Sequence, residues 1–180
     1  MIEEARLVEK ESGLAPATDG WFVVNARDTV WITHEAFGAG GGFEGPDAHF
    51  AEFGIGLRVL RPGQPNGLYH AESVQEDFLV LAGECLLLIE GEERRLQAWD
   101  FVHCPPHTEH IFVGAGEGPC VILMAGARKP DNTLLYPVSE LARRHGAGVE
   151  KETTSPAEAY AEYPAIERRR PDGWEELPWA

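Results

Sequence analysis

The middle of the chain is written in short apolar runs, each closed by glycine, proline or a charged turn, with almost no stretch repeating at the helical period. Phe53 to Leu60 reads as a strand ended by Arg61-Pro62-Gly63, and Leu68 to Glu72 as a short alternating segment. Asp77 to Leu81 closes on Ala82-Gly83-Glu84 and leads into Cys85 to Glu90. The turn Glu90-Gly91-Glu92 then returns the chain through Arg94 to Leu96 as a hairpin. Phe101 to Cys104, His110 to Val113 and Cys120 to Ala125 complete the series. Strands this short and this closely spaced predict an all-β sandwich or barrel, and the nearly all-apolar runs predict strands covered on both faces.

Both ends depart from this pattern. Trp21 to Asn25 and Thr29 to Thr33 read as additional strands that extend a sheet or pair with a second subunit, and the glycine-rich Gly38 to Gly45 segment reads as a loop. After Lys129 the composition turns polar, with a short helix expected from Ser139 to His145, stopped by Gly146. Ser155-Pro156-Ala157-Glu158 joins an N-cap serine, an N1 proline and an N3 glutamate, opening a helix expected to stop near Pro164. Trp174 and Trp179 are expected to pack on the barrel or on a partner subunit. The expected organisation is an N-terminal extension with extra strands over 1–50, a barrel core over 51–127 and a helical or irregular tail over 128–180.

Composition narrows the class. The chain has 180 residues, 43% of them hydrophobic, with 20 glycines and 13 prolines, which suits one turn-rich globular domain and argues against disorder. No apolar run approaches the ~20 residues of a membrane span. The start, Met1-Ile2-Glu3-Glu4, lacks the basic and apolar regions of a signal peptide, so a cytoplasmic protein is expected. Thirty acidic against 15 basic residues give a net charge of −15, which argues against nucleic acid and membrane as partners. Arg168-Arg169-Arg170 is the one basic cluster and reads as a solvated tail. Cys85, Cys104 and Cys120 show no CxxC spacing and read as buried reduced thiols on strands.

Chemistry concentrates in two places. His70-Ala71-Glu72 sets two ligand-type side chains two residues apart, which on a strand puts them on one face. Glu76 follows after three residues and opens the run ending at Gly83. A strand pair later, Pro105-Pro106-His107-Thr108-Glu109-His110 delivers another histidine at a strand start. Two carboxylates inside one barrel repel and are desolvated, and a divalent cation removes that conflict. Mixed nitrogen and oxygen donors suit iron(II), manganese, nickel or zinc. By strand parity Phe78, Val80, Phe112 and Leu57 are the expected cavity wall, with Tyr69 and Arg58 on less certain faces. No P-loop, dinucleotide fingerprint or G-x-S-x-G elbow is present.

Over roughly residues 50 to 127 this pattern resembles the cupin superfamily. The first cupin motif runs glycine, spacer, His-x-His, three or four residues, Glu, six residues, Gly; here it reads Gly63, His70-Ala71-Glu72, Glu76, Gly83. The second runs Gly-Asp, an apolar strand, then Pro-x-Gly-x-x-His; here it reads Trp99-Asp100, Phe101 to Cys104, and Pro105 to His110. The resemblance implies a jelly-roll barrel (a double-stranded β-helix) with an N-terminal strand extension and short C-terminal helices. It also implies one divalent metal ion held by His70, Glu72, Glu76 and His110. Three positions depart from the motifs. Glu72 replaces a histidine, Trp99 replaces the glycine before Asp100, and His107 stands at the turn glycine, where it reads as an exposed turn residue.

Glu72 is left with three readings: a fourth ligand, a general base, or a solvent-facing residue beside a site of His70, Glu76 and His110. A barrel that has lost its metal is a further alternative. The resemblance implies a metalloenzyme of dioxygenase type acting on a small organic molecule. The alternatives are a metal-dependent sugar isomerase or epimerase, in which a carboxylate such as Glu72 moves a proton, and a non-catalytic cupin that binds a small molecule. The resemblance also implies a homodimer.

Overall fold

The computed structural model describes residues 1–179. An N-terminal hairpin of β1 (Leu7–Lys10) and β2 (Gly13–Pro16) precedes β3 (Val30–His34), β4 (Gly38–Gly42) and β5 (Phe53–Leu60). The barrel then continues through β6 (Ala71–Glu72), β7 (Glu76–Ala82), β8 (Glu84–Ile89), β9 (Glu92–Gln97), β10 (Phe101–Cys104), β11 (His110–Ala115) and β12 (Cys120–Ala127). A two-residue β13 (Leu134–Leu135) and short helices α1 (Glu140–Arg144) and α2 (Pro156–Ala159) follow. Among the described residues, no helix is long and apolar enough to cross a membrane.

The strands form the expected all-β jelly roll. One antiparallel sheet runs β10-β7-β12-β5-β4-β3, a second runs β11-β8-β9, and β13 pairs with β6. The sheets face each other without closing into one continuous ladder. Between them lie Leu60, Phe78, Val80, Leu87, Phe112 and Ile122, together with Cys85, Cys104 and Cys120, all three unbridged. Gly83 closes the tight turn from β7 to β8 at φ +72°, where a side chain would run into the Pro119 carbonyl.

Cross-strand register decides which residues line the interior. Trp31, Gly41, Leu57 and Leu123 stand opposite one another on β3, β4, β5 and β12 and face outward. Ile32, Gly40, Arg58, Ile122 and Val80 form the next row and face inward. Leu57 is therefore not part of the cavity wall; it packs with Trp31 and Val121 on the outer face, and Arg58 is the interior residue. An apolarity-based parity assignment fails here because the inward position on β5 carries a charge.

Gly38 to Gly42 is a strand, not the loop expected from composition. Glycine ordinarily weakens a strand, but here it makes room for neighbours. A Cβ at Gly41 would lie 2.8 Å from the Trp31 ring, and one at Gly40 would overlap the Arg58 guanidinium. The β3–β4 pair extends the large sheet as expected. Trp21 to Asn25, by contrast, contributes only an isolated bridge from Trp21 to Glu4, because Asn25 turns the chain by capping a 3₁₀ turn over Ala26–Asp28.

The tail wraps the barrel. Trp174 and Trp179 pack on Trp31, each with a ring-centroid separation of 5.3 Å. Glu167 exchanges backbone hydrogen bonds with Thr33, which lays this segment along β3. Arg169 reaches Glu167 and Asp172, and Arg170 lies 5.0 Å over Trp174, so the basic run is on the surface but occupied within the chain. Ser155 caps α2 as expected, and the helix expected from Ser139 to His145 runs over Glu140–Arg144 with Ser139 as its cap. However, α2 ends at Ala159 rather than near Pro164. Tyr160 leaves the helix to pack on Phe37, Tyr136 and Tyr163, with its hydroxyl accepting the Leu68 N–H at 3.0 Å.

Candidate metal centre

Backbone pairing brings the two motifs together. The His110 N–H donates to the His70 carbonyl at 2.8 Å, and the His70 N–H donates back at 3.2 Å. This reciprocal pair sets the two rings 5.2 Å apart, although 40 positions separate them in sequence. Glu76 enters from the start of β7, opposite Cys104 of β10 and Gly126 of β12.

One ligand-type atom each from His70, Glu76 and His110 lies within 4.8 Å of the others. The imidazoles are oriented for this. The Leu68 carbonyl accepts from His70 Nδ1 at 2.7 Å and the Thr108 carbonyl accepts from His110 Nδ1 at 3.1 Å. With the ring proton held on Nδ1, each Nε2 presents a lone pair to the centre. The Glu76 carboxylate is 3.6 Å from His110 Nε2, beyond hydrogen-bonding distance.

Burial governs the charges. It pulls His110 down to about 4, helped by the neighbouring His70, and it also lowers His70. Both rings are therefore neutral near pH 7, as metal ligands must be. Burial pushes Glu76 up to about 8, with the Glu72 charge adding to the effect. A buried carboxylate facing two imidazole lone pairs holds no complementary donor, and a divalent cation supplies what that donor set lacks. The three residues fit a transition-metal ion.

Glu72 stands apart from that group. Its nearer oxygen is 3.9 Å from His70 Nε2, and the other accepts from Asn132 Nδ2 at 2.6 Å. Ser73 in turn donates to Asn132 Oδ1 at 3.0 Å and accepts the Thr133 N–H, fixing the amide. Glu72 and Glu76 line an open depression of about 550 Å³, together with Gly126, Arg128, Lys129 and Asn132. Phe78 packs 5.1 Å from His110, and Tyr136 packs 5.9 Å from His70.

Asn132 and Tyr136 escaped sequence reasoning because they belong to the polar tail beyond the barrel strands. The only signal for them is the Pro130-Asp131 turn that precedes Asn132. His107 is exposed at φ +71° and Trp99 at φ +77°, so both departures from the motif glycines occupy the left-handed backbone those glycines would supply. Tyr69 is buried away from this centre, against α1, with its hydroxyl accepting the Gly91 N–H.

The Cupin domain family profile matches residues 56–126. No curated protein matches the chain. Among solved structures, a sugar phosphate isomerase of a cupin superfamily from Silicibacter pomeroyi is 28% identical, with 47% of this chain and 56% of that one covered and a TM-score of 0.44. The chain thus spans little more than half of that protein. A cupin protein from Bacteroides fragilis is 20% identical, covering 46% and 70%, at a TM-score of 0.42. A polyketide cyclase from Streptomyces resistomycificus is 17% identical over 62% of this chain and 83% of its own, at a TM-score of 0.53, which shows a shared fold.

Proposed function

Residues 56–126 of this chain are a cupin domain, and on that premise we propose that the protein is a metal-dependent enzyme acting on a small organic molecule. The observation that carries this reading is the convergence of His70, Glu76 and His110, with both imidazoles locked by Nδ1 hydrogen bonds. These three residues would hold the ion. Two histidines and one carboxylate are also the donor set of non-haem iron oxygenases, which supports a dioxygenase as our first reading. When bound, the ion supplies Lewis acidity and, in the case of iron, electron-transfer chemistry.

The chain's own groups do the rest. Phe78 and Phe112 exclude water from the inner side of the centre, and the depression above Glu76 admits a small molecule. Glu72 lines it with one oxygen held by Asn132, positioned to take or return a proton at a substrate carbon or hydroxyl. That observation favours a second reading, a proton-transferring isomerase.

Elemental analysis of the purified protein separates the outcomes. Glu76→Gln is expected to lose most of the metal, whereas Glu72→Gln is expected to keep it and to lower turnover by roughly 10²–10⁴-fold. Iron with oxygen uptake on a diol or aromatic substrate supports the dioxygenase; zinc, nickel or manganese with turnover of a carbonyl sugar supports the isomerase. Less than about a tenth of an equivalent of any metal, under all loading conditions, refutes both.

We also propose that the chain forms a homodimer. The tail tryptophans are consumed on Trp31, but β10 forms an edge of the large sheet and leaves Trp99 and Phe101 exposed at 75% and 65%. Light scattering is expected to give twice the chain mass, and Phe101→Glu the mass of one chain. A single-chain mass for the unaltered protein refutes the dimer.

A further inference from the structure

A second cavity, of about 300 Å³, opens between the inner face of β3, β4 and β5 and the segment that follows α2, and none of the metal-centre residues lines it. Its polar border is made by Arg58, His34, Asn66 and Tyr160, and Phe37 and Tyr163 supply flat apolar walls. In a chain with 30 acidic residues, no carboxylate among the described residues borders this space.

Arg58 is the central group. It stands in the inward-facing row between Gly40 and Ile122, and the missing side chain at Gly40 makes room for its guanidinium. Its Nε is sealed from solvent and has no hydrogen-bond partner among the described residues. A half-buried cation without a counter-charge is costly, and no carboxylate among the described residues pairs with this one.

The neighbouring polar groups all have donors to spare. The Tyr160 hydroxyl accepts the Leu68 N–H, which frees its own proton for donation. The Ala36 N–H donates to His34 Nδ1 at 3.0 Å, which puts the proton of the neutral ring on Nε2. Asn66 Oδ1 is occupied by the Phe112 N–H, while its Nδ2 finds only the weak acceptor Met124 Sδ at 4.0 Å. The aromatic lining is continuous, with Phe37 4.6 Å from Tyr163 and 5.4 Å from Tyr160.

We propose that this cavity binds the carboxylate of a small organic acid, with Arg58 as the counter-charge and the Phe37, Tyr160 and Tyr163 rings against its apolar body. One arginine with no lysine suits a single negative charge better than a phosphate dianion, and the volume suits an acid about the size of one ring. The site does not depend on the metal reading.

The test is calorimetric titration of the full chain with benzoate, its neutral counterpart benzamide, and phenyl phosphate. Benzoate is expected to saturate one site and to bind at least about tenfold more tightly than benzamide, the margin of a charge-assisted pair. Arg58→Met, which replaces the cation with an apolar chain of similar length, is expected to abolish that preference, and Glu76→Gln to leave it intact. Equal binding of benzoate and benzamide, tighter binding of phenyl phosphate, or no saturation by about 10 mM overturns the proposal. So does loss of benzoate binding in Glu76→Gln with retention in Arg58→Met, which would place the acid at the metal centre. The benzoate–benzamide comparison on the unaltered chain stands even if Arg58→Met fails to fold. Metal content, measured separately, tests the enzyme reading.

Discussion

In protein carrying His110→Ala, metal content is expected to fall from about one equivalent to below about a tenth. His110 is 2% exposed and contributes one of only two imidazoles to the group. Its loss leaves His70 and a carboxylate that burial already pushes toward protonation. His110→Phe removes the same donor without opening a hole beside Phe78 and Phe112, so it separates loss of the ligand from loss of packing. His107→Gly is the matched control. His107 is three positions away in sequence, exposed, and on backbone that glycine adopts freely, and this variant is expected to retain full metal. Equal metal in all three proteins would remove His110 from the site.

Trp31→Ala is expected to cost about 3–5 kcal/mol, the range for removing a buried aromatic. Trp31 is wholly buried. Its Nε1–H donates to the Ala26 carbonyl at 3.3 Å, and its backbone N–H donates to Ser12 Oγ. It also holds Trp174 and Trp179, so the substitution loosens the tail as well as the sheet. In a chain of this size the loss corresponds to a fall in Tm of roughly 6–20 °C. Thermal unfolding followed by circular dichroism measures it, and proteolysis should cut first after Arg168–Arg170. A loss under about 1 kcal/mol would mean that the tryptophan cluster is decoration.

The barrel strands were legible because they obey a simple rule, apolar runs punctuated by turn residues. Phe53–Leu60 and Phe101–Cys104 match their expected bounds, and β7, β8, β11 and β12 differ only by a residue or two at their ends. The ligand-type residues were legible because two motifs in fixed order bring His70, Glu76 and His110 to one place. What escaped was decided by tertiary partners. The β4 glycines read as a loop because their role depends on Trp31 and Arg58, which lie elsewhere in the sequence. Leu57 was expected on the inner face and lies on the outer one, because hydrophobicity alone cannot see an outer surface covered by a tryptophan tail. The hairpin of β1 and β2 carries too weak an alternation to stand out, and α2 is short because Tyr160 has better contacts outside the helix. Asn132 contributes through its position beside Glu72, which no local pattern encodes.

The consecutive glycines of β4 make that strand a bare partition with a different tenant on each side. Methyl groups added one position apart would therefore act on separate properties. At Gly41 the addition presses on the Trp31 ring, and its effect should be felt in how firmly the tail is clasped. At Gly40 it displaces the Arg58 guanidinium, and its effect should be felt in what the inner cavity accepts. Neighbouring codons thus give independent handles on durability and on ligand choice, and a population of variants could drift along one without disturbing the other.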